Sequence, residues 1–272
     1  MSAMKLISAV KLKRAQDLLM AYRPYSDAYQ ETTMNIAKRC DQESHPLLRK
    51  TDDPKKLHLV FITSDRGLCG SFNSSLIRKL ETYLVTDTKS FDEVTFSFLG
   101  RRGRDHFGRE GFDIKNSFIG ITERNYSDIS EKVSEELIKE FIKGDSDEVI
   151  LVYNYFKSAL TQEITYEKVL PIKADSEIED ENLIDYLYEP TNKGILSELL
   201  PKYVQVRVQR AIQESMTSEH ASRMTAMENA TSNANDVIKN LTLLYNKTRQ
   251  AMITTELMDI VNGTEALSKG DE

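Results

Sequence analysis

MTAMENATSNANDVIKNLTLLYNKTRQAM, residues 224–252, is the stretch that decides the fold. Met224, Met227, Thr231, Ala234, Ile238, Leu241, Tyr245, Thr248 and Met252 recur in alternating steps of three and four. Seven of these nine are apolar, which is the a/d seam of a coiled coil. Thr and Ala in the seam let a partner helix approach closely. Around it, Lys202 to Asn262 contains neither Gly nor Pro over 61 residues. A continuous helix of that length spans roughly 90 Å, more than a compact domain of this size encloses. Gly263 is the expected C′ stop.

The partner for this seam lies at the other end of the chain. No Gly occurs before Gly67, and Leu6, Val10, Leu12, Ala15, Leu19 and Tyr22 follow helical spacing. A helix over Ala3–Arg39 is expected, kinked or interrupted at Pro24. Chain ends pairing antiparallel across an intervening domain make a stalk on a body.

That body holds most of the glycines: nine of 11 lie between Gly67 and Gly194. Leu57–Thr63, Glu93–Leu99 and Glu148–Phe156 read as strands, with Gln162–Pro171 as a hairpin partner for the last. Asn73–Val85, a short piece near Arg104–Arg109, and Ser127–Lys143 read as helices. Strands alternating with helices imply a largely parallel sheet with crossovers. The expected fold is therefore α/β: a Rossmann-like domain over 55–200 inserted between two long terminal helices, 1–50 and 202–263, that form an antiparallel coiled coil.

Composition narrows the function. No run approaches the ~18 apolar residues of a membrane span. Met1–Val10 lacks the apolar core of a secretory signal, and two cysteines, Cys40 and Cys69, make no disulfide framework. The net charge of −7 hides an asymmetry. Lys5, Lys11, Lys13, Arg14 and Arg23 face only Asp17 in the first 24 residues, whereas Asp175–Glu189 holds seven carboxylates and no base. A basic helix suits nucleic acid, an anionic membrane, an acidic protein surface or simply solvent.

The turn Thr63–Gly70 (TSDRGLCG) follows a strand and precedes a helix, where α/β folds bind ligands. It lacks the Gly-Lys-Ser/Thr of a P-loop and the spaced glycines of a dinucleotide site. Gly100–Arg104 likewise matches neither pattern. His45, His58, His106 and His220 show no metal spacing and no diagnostic spacing to Cys69. These turns read as structural or protein-contact turns, and no cofactor is expected.

Several segments together resemble one family. Ser218–Thr231 (SEHASRMTAMENAT), Tyr245–Ala251 (YNKTRQA) and the nearby Ile253, Thr254, Glu256 and Leu257 resemble the C-terminal signature of gamma subunits of F-type ATP synthases. Ser64–Gly70 resembles a second signature, Met4–Gln16 the N-terminal helix, and Asp185–Pro190 the bacterial form of the foot. The match spans essentially the whole chain with the motifs in order.

The resemblance implies a non-catalytic central rotor stalk, one copy per complex. Its coiled coil would stand inside a ring of α and β subunits. Its body would meet the epsilon subunit and the c-ring, at the cytoplasmic face of a bacterial inner membrane. By matched position, Arg249, Gln250, Thr254 and Glu256 would contact β, and Lys11, Lys13 and Arg14 would form a basic collar near acidic β surfaces. Tyr186, Tyr188 and Glu189 would touch the c-ring, and Met4 would lie where the helices pack, with Met224, Met227, Ala234, Ile238, Leu241, Tyr245 and Met252 along the seam. Nucleic acid and small-molecule substrates are not expected.

The pattern departs from the family in one place. Family members carry about two dozen more residues before the position of Met4, a helix of roughly 35 Å. Either a start lies upstream, or the seam over Tyr245–Met258 lacks intramolecular cover, leaving Ile253 and Met258 exposed unless the ring covers them. Two other readings compete: a small α/β nucleotide hydrolase, and a coiled-coil adaptor or nucleic-acid-binding protein using the basic first helix.

Overall fold

The computed structural model describes residues 2–38, 44–49, 51–172 and 192–268. Five strands form one sheet in the order β3-β2-β1-β4-β5. β1 (Lys56–Ile62), β2 (Glu93–Leu99), β3 (Asp113–Phe118) and β4 (Glu148–Phe156) are parallel. β5 (Gln162–Leu170) closes one edge antiparallel to β4, as the short hairpin connection requires. The helices are α1 (Ser2–Lys38), α2 (Phe72–Thr86), α3 (Arg101–Phe107), α4 (Tyr126–Lys143) and α5 (Asn192–Ser268).

The sheet is covered on both faces, which is why β1 and β4 read as apolar runs interrupted inside only by His58 and Asn154. On one face Leu59, Phe61, Phe96, Phe98 and Val152 pack against Leu76 and Leu80 of α2 and Phe107 of α3. On the other, Val60, Ile62, Val149, Leu151 and Tyr153 meet Val133, Leu137 and Phe141 of α4 and Leu200, Val204, Val208 and Ile212 of α5. His58 points into this second layer and is wholly buried. Its ring nitrogens lie 2.8 Å from Thr95 Oγ1 and 2.9 Å from Ser97 Oγ, so both are satisfied.

α1 runs antiparallel to α5, as the pairs Lys5–Glu228, Arg23–Glu214 and Gln30–Arg207 require. Its buried line is Ser8, Leu12, Ala15, Leu19, Ser26 and Thr33, a heptad continuing the seam read from Leu12. Opposite it, the stretch of α5 between Tyr203 and Ser218 is buried on almost every side, held between sheet, α4 and α1. A helix enclosed all round carries no amphipathic period. That is why the heptad becomes readable only from Met224 onward.

Several expectations are corrected. α1 continues through Pro24, and α5 starts at Asn192 and continues through Pro201 and past Gly263. Each proline frees the carbonyl four residues back, on Met20 and Ser197, and both residues are exposed to solvent. Gly263 meets no neighbouring side chain and stays helical. β3 was not expected, because its alternation (DIKNSF) is short and half polar at a sheet edge.

Candidate functional site

The residues with the densest polar wiring lie where the two long helices join the sheet domain. Three anchors make this joint. At the first, Glu214 of α5 is fully buried. It accepts from Arg23 Nε at 2.9 Å, Arg23 Nη2 at 2.7 Å and the Phe156 backbone N–H at 3.0 Å. Arg23 Nη2 also donates to the Phe156 carbonyl at 2.7 Å, and the guanidinium lies 4.8 Å from the Tyr155 ring centroid. Burial works against the Arg23 charge, but the Glu214 carboxylate outweighs it and raises the pKa. One residue pair thus ties α1, α5 and the end of β4 together.

The second anchor is Arg207 of α5. It pairs with Glu167 of β5 and donates to Gln30 Oε1 at 2.5 Å. Glu167 also accepts from the Tyr153 hydroxyl at 2.7 Å. Burial, then the nearby Glu167 charge, pushes the Tyr153 phenol up, so it stays a donor.

The third anchor is the turn Ser64–Gly70. Asp65 accepts from the backbone N–H of Arg101 at 2.9 Å and of Gly120 at 2.7 Å, pinning the ends of three loops. Asn73 Oδ1 accepts from Ser64 N at 3.0 Å, and its Nδ2 donates to Ser64 Oγ at 2.7 Å. Ser222 Oγ of α5 then donates to the Cys69 carbonyl at 2.7 Å, and Arg223 Nη2 donates to the Arg66 and Gly67 carbonyls. Gly70, beside Ser222 and Ala226, takes φ +57°, a left-handed backbone that glycine adopts without strain.

This turn stands at the carboxyl end of β1, beside the β1/β4 switch point where a doubly wound sheet takes ligands. Here α5 fills that crevice. What remains is a cavity of about 40 Å³ lined by Thr63, Asp65, Gly100, Ser215 and Glu219 among others. It is water-sized, far below the several hundred Å³ of a nucleotide site.

The residues expected from the sequence are spread along the shaft. Lys11, Lys13 and Arg14 are exposed on α1, and Lys13 pairs with Asp17 at 2.8 Å. Met227 is buried, Met224 and Ala234 are partly covered, and Met4 is 54% exposed. Ile238, Leu241, Tyr245 and Met252 are 58–65% exposed and have no helix opposite them among the described residues. Arg249, Gln250, Thr254 and Glu256 are exposed further along, roughly 35 Å beyond the part of α5 that faces Lys11. The basic group and the Arg249 group are therefore not one site. Tyr186, Tyr188 and Glu189 lie outside the described residues, as does Cys40. Sequence reading missed Arg23, Glu214 and Arg207, whose hydrogen-bond partners lie 40 to 191 residues away in sequence.

The ATP synthase family model matches residues 1–267. The ATP synthase gamma chain of Bdellovibrio bacteriovorus is 41% identical over 272 residues, covering 97% of this chain and 92% of that one. The gamma chain of Trichlorobacter lovleyi is 39% identical over 266 residues, with the same coverage. Among solved structures, the central stalk and c-ring structure of Tetrahymena thermophila mitochondrial ATP synthase contains a similar chain. It matches at 27% identity and TM-score 0.62, covering 85% of this chain and 98% of that one. A chain of the Euglena gracilis mitochondrial ATP synthase shares the fold at TM-score 0.63 and 20% identity, over 100% of this chain and 97% of that one.

Proposed function

The chain belongs to the ATP synthase gamma-chain family, and we propose that it works as the central rotor stalk whose twist couples ion flow to ATP chemistry on partner subunits. The gamma chain is a non-catalytic subunit of a complex that makes ATP, and the crevice filled by α5 accords with that. The single observation that carries the mechanical reading is the Arg23–Glu214–Phe156 anchor. It fastens both shaft helices to the body through buried, charge-assisted hydrogen bonds, so torque on the body turns the shaft without slip.

In this reading the exposed apolar residues of α5 beyond Ala234 turn inside a ring of α and β subunits. Arg249, Gln250, Thr254 and Glu256 meet β there, and Lys11, Lys13 and Arg14 meet acidic β surfaces lower down. Tyr186, Tyr188 and Glu189 stand on the c-ring, and epsilon binds the body. One copy serves each complex, peripherally at the cytoplasmic face of a bacterial inner membrane. No helix among the described residues is long and apolar enough to cross a membrane.

The test is reconstitution of the full chain with α and β subunits. A stable ring with ATPase that depends on this chain is expected. No affinity for the ring, together with salt-sensitive DNA binding, would overturn the proposal in favour of the nucleic-acid reading.

A further inference from the structure

On the face of the body away from the shaft, Glu81 of α2, His106 of α3 and Glu110 just beyond α3 converge. His106 Nε2 lies 2.8 Å from Glu81 Oε1 and 3.5 Å from Glu110 Oε1, and the three atoms are within 4.8 Å of one another. None of this belongs to the joint or to the shaft.

Local structure explains the convergence. Phe107 is fully buried among Phe61, Phe96 and Phe98 and pins α3 to the sheet. The His106 ring stands edge-on to it at 5.0 Å. Beyond the helix, Arg109 N–H donates to the His106 carbonyl and Glu110 N–H to the Phe107 carbonyl, so the turn keeps winding. Glu110 therefore falls four residues after His106 on the same side. Glu81 comes from a separate helix held by Leu76 and Leu80 in the same core.

Charge supplies a second observation. Among the described residues, neither Glu81 nor Glu110 has a Lys or Arg nitrogen within 4.0 Å, although Arg104 nearby pairs with Asp105. Two carboxylates thus face one imidazole with no permanent cation between them. A divalent ion placed at their centre balances that charge.

We propose that Glu81, His106 and Glu110 form a zinc site that clips α2 to α3, with water in the fourth position. Tetrahedral zinc with N and O ligands at about 2.0 Å sets its ligand atoms roughly 3.3 Å apart. The 3.5 Å His106–Glu110 spacing is close to this. The 2.8 Å His106–Glu81 hydrogen bond opens by about half an ångström as zinc replaces the shared proton. The remaining pair, within 4.8 Å, closes by side-chain rotation. One imidazole favours zinc over magnesium, which takes oxygen ligands in octahedral geometry. The site is surface-exposed, with side chains 37–44% accessible, so the ion exchanges with solvent.

The experiment titrates zinc sulfate into the chelator-treated full chain by calorimetry, with magnesium sulfate in parallel. One zinc per chain is expected, with no magnesium binding at the same concentration. His106→Ala, Glu81→Gln and Glu110→Gln should each weaken it by about tenfold or more, as loss of a ligand requires. A variant with Cys40→Ser and Cys69→Ser should keep it. Circular dichroism checks that each variant is folded, and the two Glu→Gln changes are isosteric. Absence of zinc binding below about 100 μM in the wild-type chain overturns the proposal. So does binding that survives His106→Ala or disappears with the cysteines.

Discussion

Arg23 of α1 and Glu214 of α5, 191 residues apart in sequence, meet in a two-pronged ion pair whose carboxylate is completely buried. Both also bond to the backbone of Phe156 at the end of β4. Shaft and sheet are therefore fastened here by hydrogen bonds to a carboxylate shielded from water.

Removing Glu214 takes the carboxylate away from Arg23, Arg210 and the Phe156 N–H at once. Glu214→Ala should destabilise the chain by about 3–5 kcal/mol. Arg23→Ala should cost less, because Glu214 keeps the Phe156 N–H and Arg210 at 3.7 Å. In urea unfolding, the double-mutant cycle should show coupling of about 2 kcal/mol or more. Additive effects would mean that the pair is not one unit.

The buried His58 makes stability pH-dependent. Burial first, then the nearby Lys115 charge, lowers its pKa to about 4 in the folded chain, below 6.5 for the free side chain. The unfolded chain binds a proton there as pH falls through about 6.5, and the folded chain does so only near 4. Stability contributed by neutral His58 is thus full above about pH 7 and is lost between about 6.5 and 4. The expected loss is about 2–4 kcal/mol across that window. His58→Asn should flatten the pH dependence of the urea midpoint between pH 7 and 5, and an unchanged slope would assign it to other groups.

Two glycines at positive φ should respond differently to alanine. At Gly100, φ +104°, a Cβ would run into the Thr63 carbonyl, and the neighbouring Gly103 N–H is already committed to Thr63 Oγ1 at 2.9 Å. Gly100→Ala should cost about 3 kcal/mol or more, combining strain with a backbone clash. Gly144, φ +81°, ends α4 in open space, and Gly144→Ala should cost only about 1–2 kcal/mol from the left-handed backbone. Equal losses in thermal or urea unfolding would contradict the clash.

Arg249→Ala and Leu241→Ser lie on the exposed length of α5, where no contact among the described residues depends on them. Each should leave the stability of the isolated chain within about 0.5 kcal/mol. In the assembled complex each should weaken ring assembly or proton-driven ATP synthesis while leaving catalytic residues untouched. Wild-type synthesis rates by both would count against the ring contact proposed for this part of the shaft.

Much of this architecture was legible in the residues. The heptad from Met224 to Met252, the glycine-free first 66 residues and the breaker-free Lys202–Asn262 specify long helices, since a 3-4 apolar repeat matches one face of a helix. The apolar runs of β1 and β4 specify strands buried on both faces. What tertiary structure alone decided is how these parts lock together. Glu214 sits in a stretch of α5 buried on almost every side, so no periodicity marked it, and Arg23 reads as one more charge on a basic helix. Likewise Ser64–Gly70 displays a ligand-site sequence position, but α5 crossing its crevice turns it into a brace. Local patterns encode elements because they depend on neighbours three or four residues away. The joint depends on groups brought together from opposite ends of the chain, and only the folded packing establishes which charges meet in the dark of the core and which remain in water.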